Sequence, residues 1–209
     1  FGRSAHLWAL TVIVSFDHKK RGKKMGKVFG YPEFSDDGEM ILTTYENDYK
    51  AMMMDIRVYR MKAGETRTFL REGEETAVLL LSGNITYKWN GNEATATRKD
   101  VFTEGPWCVH GCTGTEITVV ANAESQILVQ CTKNEKDFGA KLYKPEDAPW
   151  GYSCVGKFGN VAKRRVNTIF DHDISPESNM VLGEVLNDRG NWSGYLPHRH
   201  PQAETYFFK

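Results

Sequence analysis

The sequence lacks an excess of charge of either sign. Lys and Arg together number 27, Asp and Glu together also number 27, and the formal net charge is zero. Binding to the phosphate backbone of a nucleic acid requires a surplus of basic side chains on some face. The balance therefore gives no support for a nucleic-acid partner, and the one basic run, within residues 19–24, is typical of a solvated segment.

The sequence also lacks the features of a membrane span or a secretory leader. The apolar run from Leu7 to Phe16 is shorter than the roughly 20 residues that a transmembrane helix needs. Its basic residues follow the apolar run, whereas a secretory signal carries them first. We therefore predict no membrane partner, and we set residues 1–24 apart as an N-terminal extension of doubtful relevance to function.

Cysteine is sparse. Cys108, Cys112, Cys131 and Cys154 are scattered over a long chain and form no dense disulfide framework, which is typical of a reducing, cytoplasmic compartment. Cys108 and Cys112 flank His110, but no second cysteine or histidine pair follows at zinc-finger spacing. We therefore predict ordinary packing for these three residues rather than a second metal site.

No long amphipathic helical pattern occurs between residues 36 and 132. Short strand-like runs separated by turn signals indicate an all-β sandwich or barrel there. Asn90-Gly91 predicts a hairpin turn, and His110, the one histidine of the region, has no evident partner. The predicted strands lie within residues 51–61, 76–81, 85–89, 116–121 and 126–131, and the last two are expected to pair with each other.

A change in composition divides the chain. Residues 133–163 are rich in Lys, Asp, Pro and Gly, which indicates a connection between domains. We therefore predict an N-terminal β domain without a metal site at 25–132, a linker at 133–163 and the start of a second, metal-binding β domain at 164–209. Strand-like runs in the second domain cover residues 166–170, 178–186 and 205–208.

Two histidines one residue apart carry the strongest chemical signal. A helix would place His198 and His200 about 200° apart, whereas a strand points both to one face. Pro197 and Pro201 also argue against a helix. Glu204 would lie about 13 Å from His200 in one straight strand, so the chain must turn at residues 201–203 for both to reach one ion.

The donor atoms of these three residues suit a transition metal. Two imidazole nitrogens and one carboxylate oxygen fit zinc, manganese, iron, cobalt or nickel, with positions left for water or substrate. The alternative is an exposed loop that carries a solvated charge cluster. We predict that His198, His200 and Glu204 bind a metal ion.

The order His-x-His-x-x-x-Glu resembles the metal motif of the cupin superfamily of small β-barrels. The longer string from Gly183-Glu184-Val185 through Gly190-Asn191-Trp192-Ser193 to Glu204-Thr205-Tyr206 resembles the 5-deoxy-glucuronate isomerase family of bacterial myo-inositol breakdown. Residues 74–83, 98–102 and 164–166 agree with that family in order and character, and the resemblance spans roughly residues 25–209.

The resemblance implies an all-β fold of double-stranded β-helix (cupin) barrels. It implies a two-cupin architecture, with an N-terminal cupin-like domain that has no metal site and a second barrel truncated at Lys209. The sequence departs from the family in two respects. Trp192 stands where the general cupin spacing has a glycine, and the family's fourth metal ligand, a histidine on a later strand, would lie beyond Lys209.

The resemblance also implies a reaction. It is the aldose–ketose isomerisation of 5-deoxy-glucuronate to 2-deoxy-5-keto-gluconate, with a small sugar acid as partner and a divalent metal ion as cofactor, zinc or manganese before iron. Such an ion acts as a Lewis acid on sugar oxygens, and a base moves a proton between neighbouring carbons. The pattern does not identify that base; Tyr206 is a candidate for holding the proton, with core packing as the competing interpretation. Trp192 and Tyr195 fit either the wall of a sugar pocket or simple packing.

Three alternatives stay open. A 4-deoxy-5-keto-uronate isomerase would differ in the substrate that it turns over. An oxygenase is compatible with two histidines and a carboxylate, and it would consume oxygen with ferrous iron. A non-catalytic sugar-binding cupin would bind a saccharide without product. The sequence also leaves open whether the chain forms a homo-oligomer.

Overall fold

The computed structural model describes residues 8–14, 30–194 and 202–209, and these residues form an almost purely β structure. Two short 3₁₀ turns, Lys50–Met52 and Lys157–Asn160, are the helical elements of the described ranges. The predicted all-β class is confirmed. The strands in chain order are β1 (Trp8–Val14), β2 (Glu39–Thr43), β3 (Met54–Met61), β4 (Thr66–Phe69), β5 (Glu74–Trp89), β6 (Asn92–Arg98), β7 (Trp107–Gly111), β8 (Ile117–Ala121), β9 (Ser125–Lys133), β10 (Ala140–Tyr143), β11 (Gly151–Ser153), β12 (Arg164–Phe170), β13 (Met180–Leu186) and β14 (Glu204–Phe208).

Strands β2 to β10 form one nine-stranded antiparallel sheet organised around β5. The first half of β5 pairs with β7 and β9, and its second half pairs with β6 and β8. The predicted hairpin after β5 is confirmed. Asn90 and Gly91 have φ of 45° and 76°, as a two-residue hairpin turn requires, and Trp89 pairs with Asn92.

Strand β5 differs from the sequence prediction because it continues through Ser82-Gly83. The two predicted runs are one strand with a bend, where the register to β9 shifts between Leu80 and Ser82 and Gly83 adopts a φ of 111°. A β-bulge of this kind turns a strand without ending its hydrogen-bond ladder. Gly83 is required here because a Cβ would collide with Ser125.

The predicted pairing of residues 116–121 with 126–131 is wrong. Strand β8 pairs with β4 and with the second half of β5, whereas β9 pairs with β3 and with the first half of β5. The two strands are neighbours in sequence, but the bend in β5 sends them to different halves of the sheet. Pattern alone identified both strands correctly and could not supply their partners.

Apolar side chains form two clusters on opposite sides of β5. Val78 and Leu80 belong to the cluster enclosed by the two halves of the nine-stranded sheet. Ala77, Leu79 and Leu81 belong to the cluster shared with β12 and β13. This division follows from the alternation of side chains along a strand. Both faces of the first half of β5 are therefore buried, whereas the second half has one buried face and one face that reaches solvent at Lys88.

The second sheet has five strands in the order β11, β12, β13, β1, β14. Strand β1 lies between β13 and β14 and pairs antiparallel with both. The segment that sequence analysis set apart thus supplies backbone to the middle of this sheet. Strand β14 joins the sheet through β1.

Two short strands fall in the predicted linker. Strand β10 pairs with β7 of the first sheet, and β11 pairs with β12 of the second. The segment 133–163 therefore contributes one strand to each sheet. The predicted domain boundaries stay a prediction.

Candidate metal site and its surroundings

Strand β14 positions two of the predicted site residues. Phe207 packs against the apolar cluster shared by the two sheets. Because side chains alternate along a strand, Glu204, Tyr206 and Phe208 lie on the opposite face. The Tyr206 and Phe208 rings stack with centroids 6.2 Å apart. Glu204 is half-buried, and Tyr206 is 40% exposed.

The register of the sheet identifies the neighbours of these residues. Glu204 is opposite Ile13 of β1, which is opposite Val181 of β13. In the same way, Thr11 of β1 is opposite Tyr206 on one side and Gly183 on the other. A Cβ at Gly183 would lie 2.7 Å from the carbonyl oxygen of Asn167, so the close approach of β12 requires glycine there. The face that carries Glu204 is therefore formed by β13 and β14, with β1 between them.

The other predicted ligands, His198 and His200, lie outside the described residues, as does Tyr195. Within residues 30–194 and 202–209, no three His, Cys, Asp or Glu side chains are grouped as a metal site. Of the predicted metal ligands, the structure thus locates Glu204. The metal site as a whole stays a prediction.

The segment that leads into the motif is anchored by the loop before β12. The Asn191 side-chain amide donates to the carbonyl oxygens of Asn160 (3.1 Å) and Lys163 (2.9 Å). The backbone N–H of Trp192 donates to the carbonyl of Val161 (2.8 Å). Trp192 is 45% exposed, and its ring lies 5.2 Å from that of Phe158. The segment that leads into the predicted metal site is thus fixed by hydrogen bonds from the Asn191 side chain and from the Trp192 backbone.

A buried ion pair lies on the other face of the second sheet. The Arg98 guanidinium donates to both carboxylate oxygens of Glu184, each at 2.8 Å, and Arg98 is fully buried. Asn167 Nδ2 also donates to Glu184, at 3.2 Å. Arg98 gives further hydrogen bonds to the carbonyl oxygens of Leu80 and Glu104. This network links β6 of the first sheet to β13 of the second.

The expectation that His110 has no partner is wrong. His110 Nε2 is in hydrogen-bond contact with Oε2 of the buried Glu75 at 2.9 Å, and its ring stacks on Phe170 with centroids 4.1 Å apart. Glu75 also accepts from Ser178 Oγ (2.8 Å) and from the backbone N–H of Asn179 (2.7 Å). Since Ser178 and Asn179 immediately precede β13, this network also joins the two sheets.

The cysteines beside His110 have separate environments. Cys108 is buried in the apolar cluster between the sheets, and burial raises the pKa of its thiol well above the usual range. Cys112 Sγ lies 3.6 Å from Thr115 Oγ1 and 3.2 Å from Asp137 Oδ1. These contacts support packing as the role of both residues.

No helix of the described residues is long and apolar enough to cross a membrane.

Comparisons with known proteins agree with this architecture. The sequence model of the KduI/IolB family matches residues 30–209. Proteins named 5-deoxy-glucuronate isomerase are 31% identical over 167 residues in Bacillus subtilis and 32% identical over 181 residues in Bacillus velezensis. These alignments cover 74% and 79% of this chain, and 60% and 64% of the relatives. The chain thus spans less than two thirds of the length of these relatives.

A solved structure shows the same fold. The crystal structure of an IolB-like protein from Salmonella typhimurium LT2 superposes with a TM-score of 0.62 at 16% sequence identity. The superposition covers 78% of this chain and 62% of the other. The predicted cupin-type architecture is therefore confirmed at the level of fold.

Proposed function

Because the chain belongs to the KduI/IolB family, we propose that it is part of a sugar-acid isomerase. The proposed reaction is the conversion of 5-deoxy-glucuronate to 2-deoxy-5-keto-gluconate in myo-inositol breakdown. The observation that carries the proposal is the family match over residues 30–209, together with the names of the relatives from the two Bacillus species. The position of Glu204 on β14 adds support from the chain itself.

The predicted ligand set fits a divalent ion chemically. Glu204 is half-buried on the face that also carries the partly exposed phenol of Tyr206, so its carboxylate is close to both protein and solvent. With His198 and His200 it gives the two-imidazole, one-carboxylate donor set that zinc or manganese accepts. A bound ion would act as a Lewis acid on adjacent hydroxyl and carbonyl oxygens of the sugar.

The chain's own residues would hold the substrate and manage its protons. Aldose–ketose isomerisation removes a proton from C2 and delivers one to C1, while the hydroxyl proton at C2 passes to the C1 oxygen. No oxidant or reductant is required, because both hydrogens stay within the sugar. Tyr206 would hold or relay a proton beside Glu204, and this role is supported by the common face of β14 that the two side chains share.

Turnover of 5-deoxy-glucuronate by the purified protein tests the proposal. Product should form without oxygen, in the presence of zinc or manganese, and should be lost in the His198→Ala/His200→Ala variant. A matched His172→Ala variant changes a histidine in the turn after β12 and should stay active. Exclusive turnover of 4-deoxy-5-keto-uronate would assign the second uronate substrate instead. Oxygen consumption, or sugar binding without product, would contradict the proposal.

A further inference from the structure

A pocket of about 500 Å³ opens at the bend of β5, on the first sheet. Its lining includes Arg60, Arg98, Lys99, Glu104, Glu124 and Gln126. None of these residues belongs to the predicted metal site. Strand bulges occur frequently beside functional sites, because they redirect side chains.

The wall of the pocket is rigid. Ser125 is buried, and its hydroxyl contacts the carbonyl oxygens of Asn84 (3.1 Å) and Ala123 (2.8 Å) and the backbone N–H of Asn84 (3.1 Å). Gly83 packs so closely on Ser125 that it has no room for a side chain. The polar groups of this wall are therefore held in place before any ligand arrives, which lowers the entropic cost of binding.

Positive charge accumulates on one side of the pocket. Arg60 lies across the Phe34 ring at 3.7 Å, and Lys209 donates to the side chain of Gln126. Neither Arg60 nor Lys209 forms an ion pair with a carboxylate of the described residues. Partial loss of hydration, together with repulsion from Arg98 and Arg60, lowers the pKa of Lys209. A cluster of cations that have no carboxylate partner is the electrostatic environment that stabilises a bound anion.

The other charged residues of the lining favour a monoanion over a dianion as the ligand. Arg98 is neutralised by Glu184, so the available cations are Arg60, Lys99 and Lys209. Glu104 accepts a hydrogen bond from the backbone N–H of Lys99 at 2.6 Å, and Glu124 is exposed. Two carboxylates at the same pocket disfavour a dianion such as phosphate more than a single carboxylate, because like-charge repulsion grows with the charge.

The uncharged lining provides hydrogen bonds for hydroxyl groups. Asn84 and Thr97 face each other across the β5–β6 pair, with Nδ2 to Oγ1 at 2.8 Å, and Gln126 lies beside Lys209. Amide and hydroxyl groups both donate and accept, which suits a polyol. A volume of about 500 Å³ is also in the range of small-molecule sites.

We propose that this pocket is a second binding site, for a small polyhydroxylated carboxylate. Its carboxylate would lie between Arg60 and Lys209, and its hydroxyl groups would contact Asn84, Thr97 and Gln126. The site extends from the first sheet to the end of β14, so the ligand would touch both sheets. The inference is independent of the proposed isomerase activity.

Titration of the His198→Ala/His200→Ala variant tests the proposal without interference from the predicted metal site. D-glucuronate is the probe, with D-glucose and inorganic phosphate as comparisons, and binding is followed through the backbone amide signals of Gly83, Asn84 and Ser125. Glucuronate should bind at millimolar concentration. Glucose, which lacks the carboxylate, and phosphate should each bind about tenfold more weakly or worse.

Two single variants and one control complete the test. Arg60→Gln and Lys209→Gln should each weaken glucuronate binding about tenfold, because each removes a charge-assisted contact. Lys88→Gln, which changes an exposed lysine on the second half of β5, should bind like the parent. No detectable glucuronate binding up to roughly 50 mM, about 50-fold above the expected millimolar dissociation constant, would overturn the proposal. Unchanged glucuronate affinity in both variants, or tighter binding of phosphate than of glucuronate, would also overturn it.

Discussion

Arg98 and Glu184 form a bidentate ion pair inside the protein, with two N–H···O contacts of 2.8 Å between strands of different sheets. The two residues are 86 positions apart in sequence. The remaining hydrogen-bonding groups of Arg98 contact backbone carbonyls, and Glu184 has Asn167 as a further donor. A buried pair with this many contacts orients one sheet on the other, because a rotated arrangement would leave charge without a partner.

Removing one member of this pair should destabilise the protein strongly. Glu184→Ala leaves the Arg98 charge buried and uncompensated, and we expect a loss of about 3–5 kcal/mol in the free energy of unfolding. Glu93→Ala breaks the exposed pair with Lys88 and should cost less than about 1 kcal/mol. Chemical denaturation of both variants measures the difference, and equal stabilities would contradict the role of the pair.

The contacts of Glu75 should also be sensitive to substitution. Glu75→Gln replaces an oxygen that accepts hydrogen bonds by an amide that donates, so His110, Ser178 and Asn179 cannot all keep their contacts. We expect a loss of about 1–3 kcal/mol in the free energy of unfolding. Glu177→Gln, at an exposed carboxylate paired with Lys136, is the matched control and should stay within about 0.5 kcal/mol of the parent.

Strand β1 should be essential to the second sheet. Thr11→Pro removes a backbone N–H from a strand that has neighbours on both sides, and proline is not tolerated in such strands. The loss should be about 1–3 kcal/mol, the cost of an unmade hydrogen bond. Metal content should fall as well, because β14 carries Glu204 and joins the sheet through β1. Thr11→Val keeps the strand propensity and should retain both properties; a stable, metal-loaded Thr11→Pro variant would contradict this role.

Tyr206 should affect catalysis without affecting metal content. Tyr206→Phe removes one hydroxyl from the face that carries Glu204, and if this group moves a proton, kcat should fall about a hundredfold. Bound metal, measured by elemental analysis, should be unchanged. Thr205→Val alters the opposite face of β14 and should leave kcat as it is. An active Tyr206→Phe variant would leave packing as the role of the ring.

Cys154 should be the most reactive of the four thiols. Hydrogen bonds from Ser153 and from Arg164, whose Nη1 lies 3.4 Å from Sγ, lower the pKa of Cys154. Burial raises the pKa of Cys131 to about 12 and protects it from reagent. Alkylation by iodoacetamide near neutral pH should therefore modify Cys154 first, because the thiolate is the reactive form.

The pH dependence of this alkylation tests the cause. Arg164→Gln should shift the rise in rate to higher pH, since it removes a donor and a positive charge from the thiolate. Lys163→Gln changes a neighbouring cation that lies over the Tyr152 ring, and it should leave the profile in place. Identical profiles for Arg164→Gln and the parent would exclude the arginine as the cause.

Local pattern predicted the long strands, missed the short strands β2, β4, β7, β10 and β11, and predicted strand partners poorly. Apolar runs, alternation and the Asn90-Gly91 dipeptide depend on neighbouring residues, so they located the two halves of β5, its hairpin, β12 and β13. The contact of His110 with Glu75 joins residues 35 positions apart, so no local sequence pattern predicts it. Strand β1 shows the same limit more clearly. Its apolar composition can be read from the sequence, but its position between β13 and β14 depends on residues at the other end of the given sequence.

The candidate site divides in a similar way. Spacing predicted Glu204 as a metal ligand, and the alternation along β14 puts Glu204 and the candidate Tyr206 on one face. Sequence alone did not reveal that Asn191 fastens the lead-in through Asn160 and Lys163, because those partners are backbone carbonyls. The Gly-Asn-Trp-Ser string was a signal for that anchor, since an asparagine side chain that is held by main-chain groups commonly fixes a turn.

The position of β1 has a consequence for biosynthesis. Of the described strands β1 comes first along the chain, yet its two neighbours, β13 and β14, come after all the others. At about 5–20 residues per second, its apolar sequence waits for many seconds with its backbone groups unpaired. The first sheet can fold meanwhile, and the second closes only after β13 and β14 have emerged, so we expect chaperones to engage the N-terminal segment during translation.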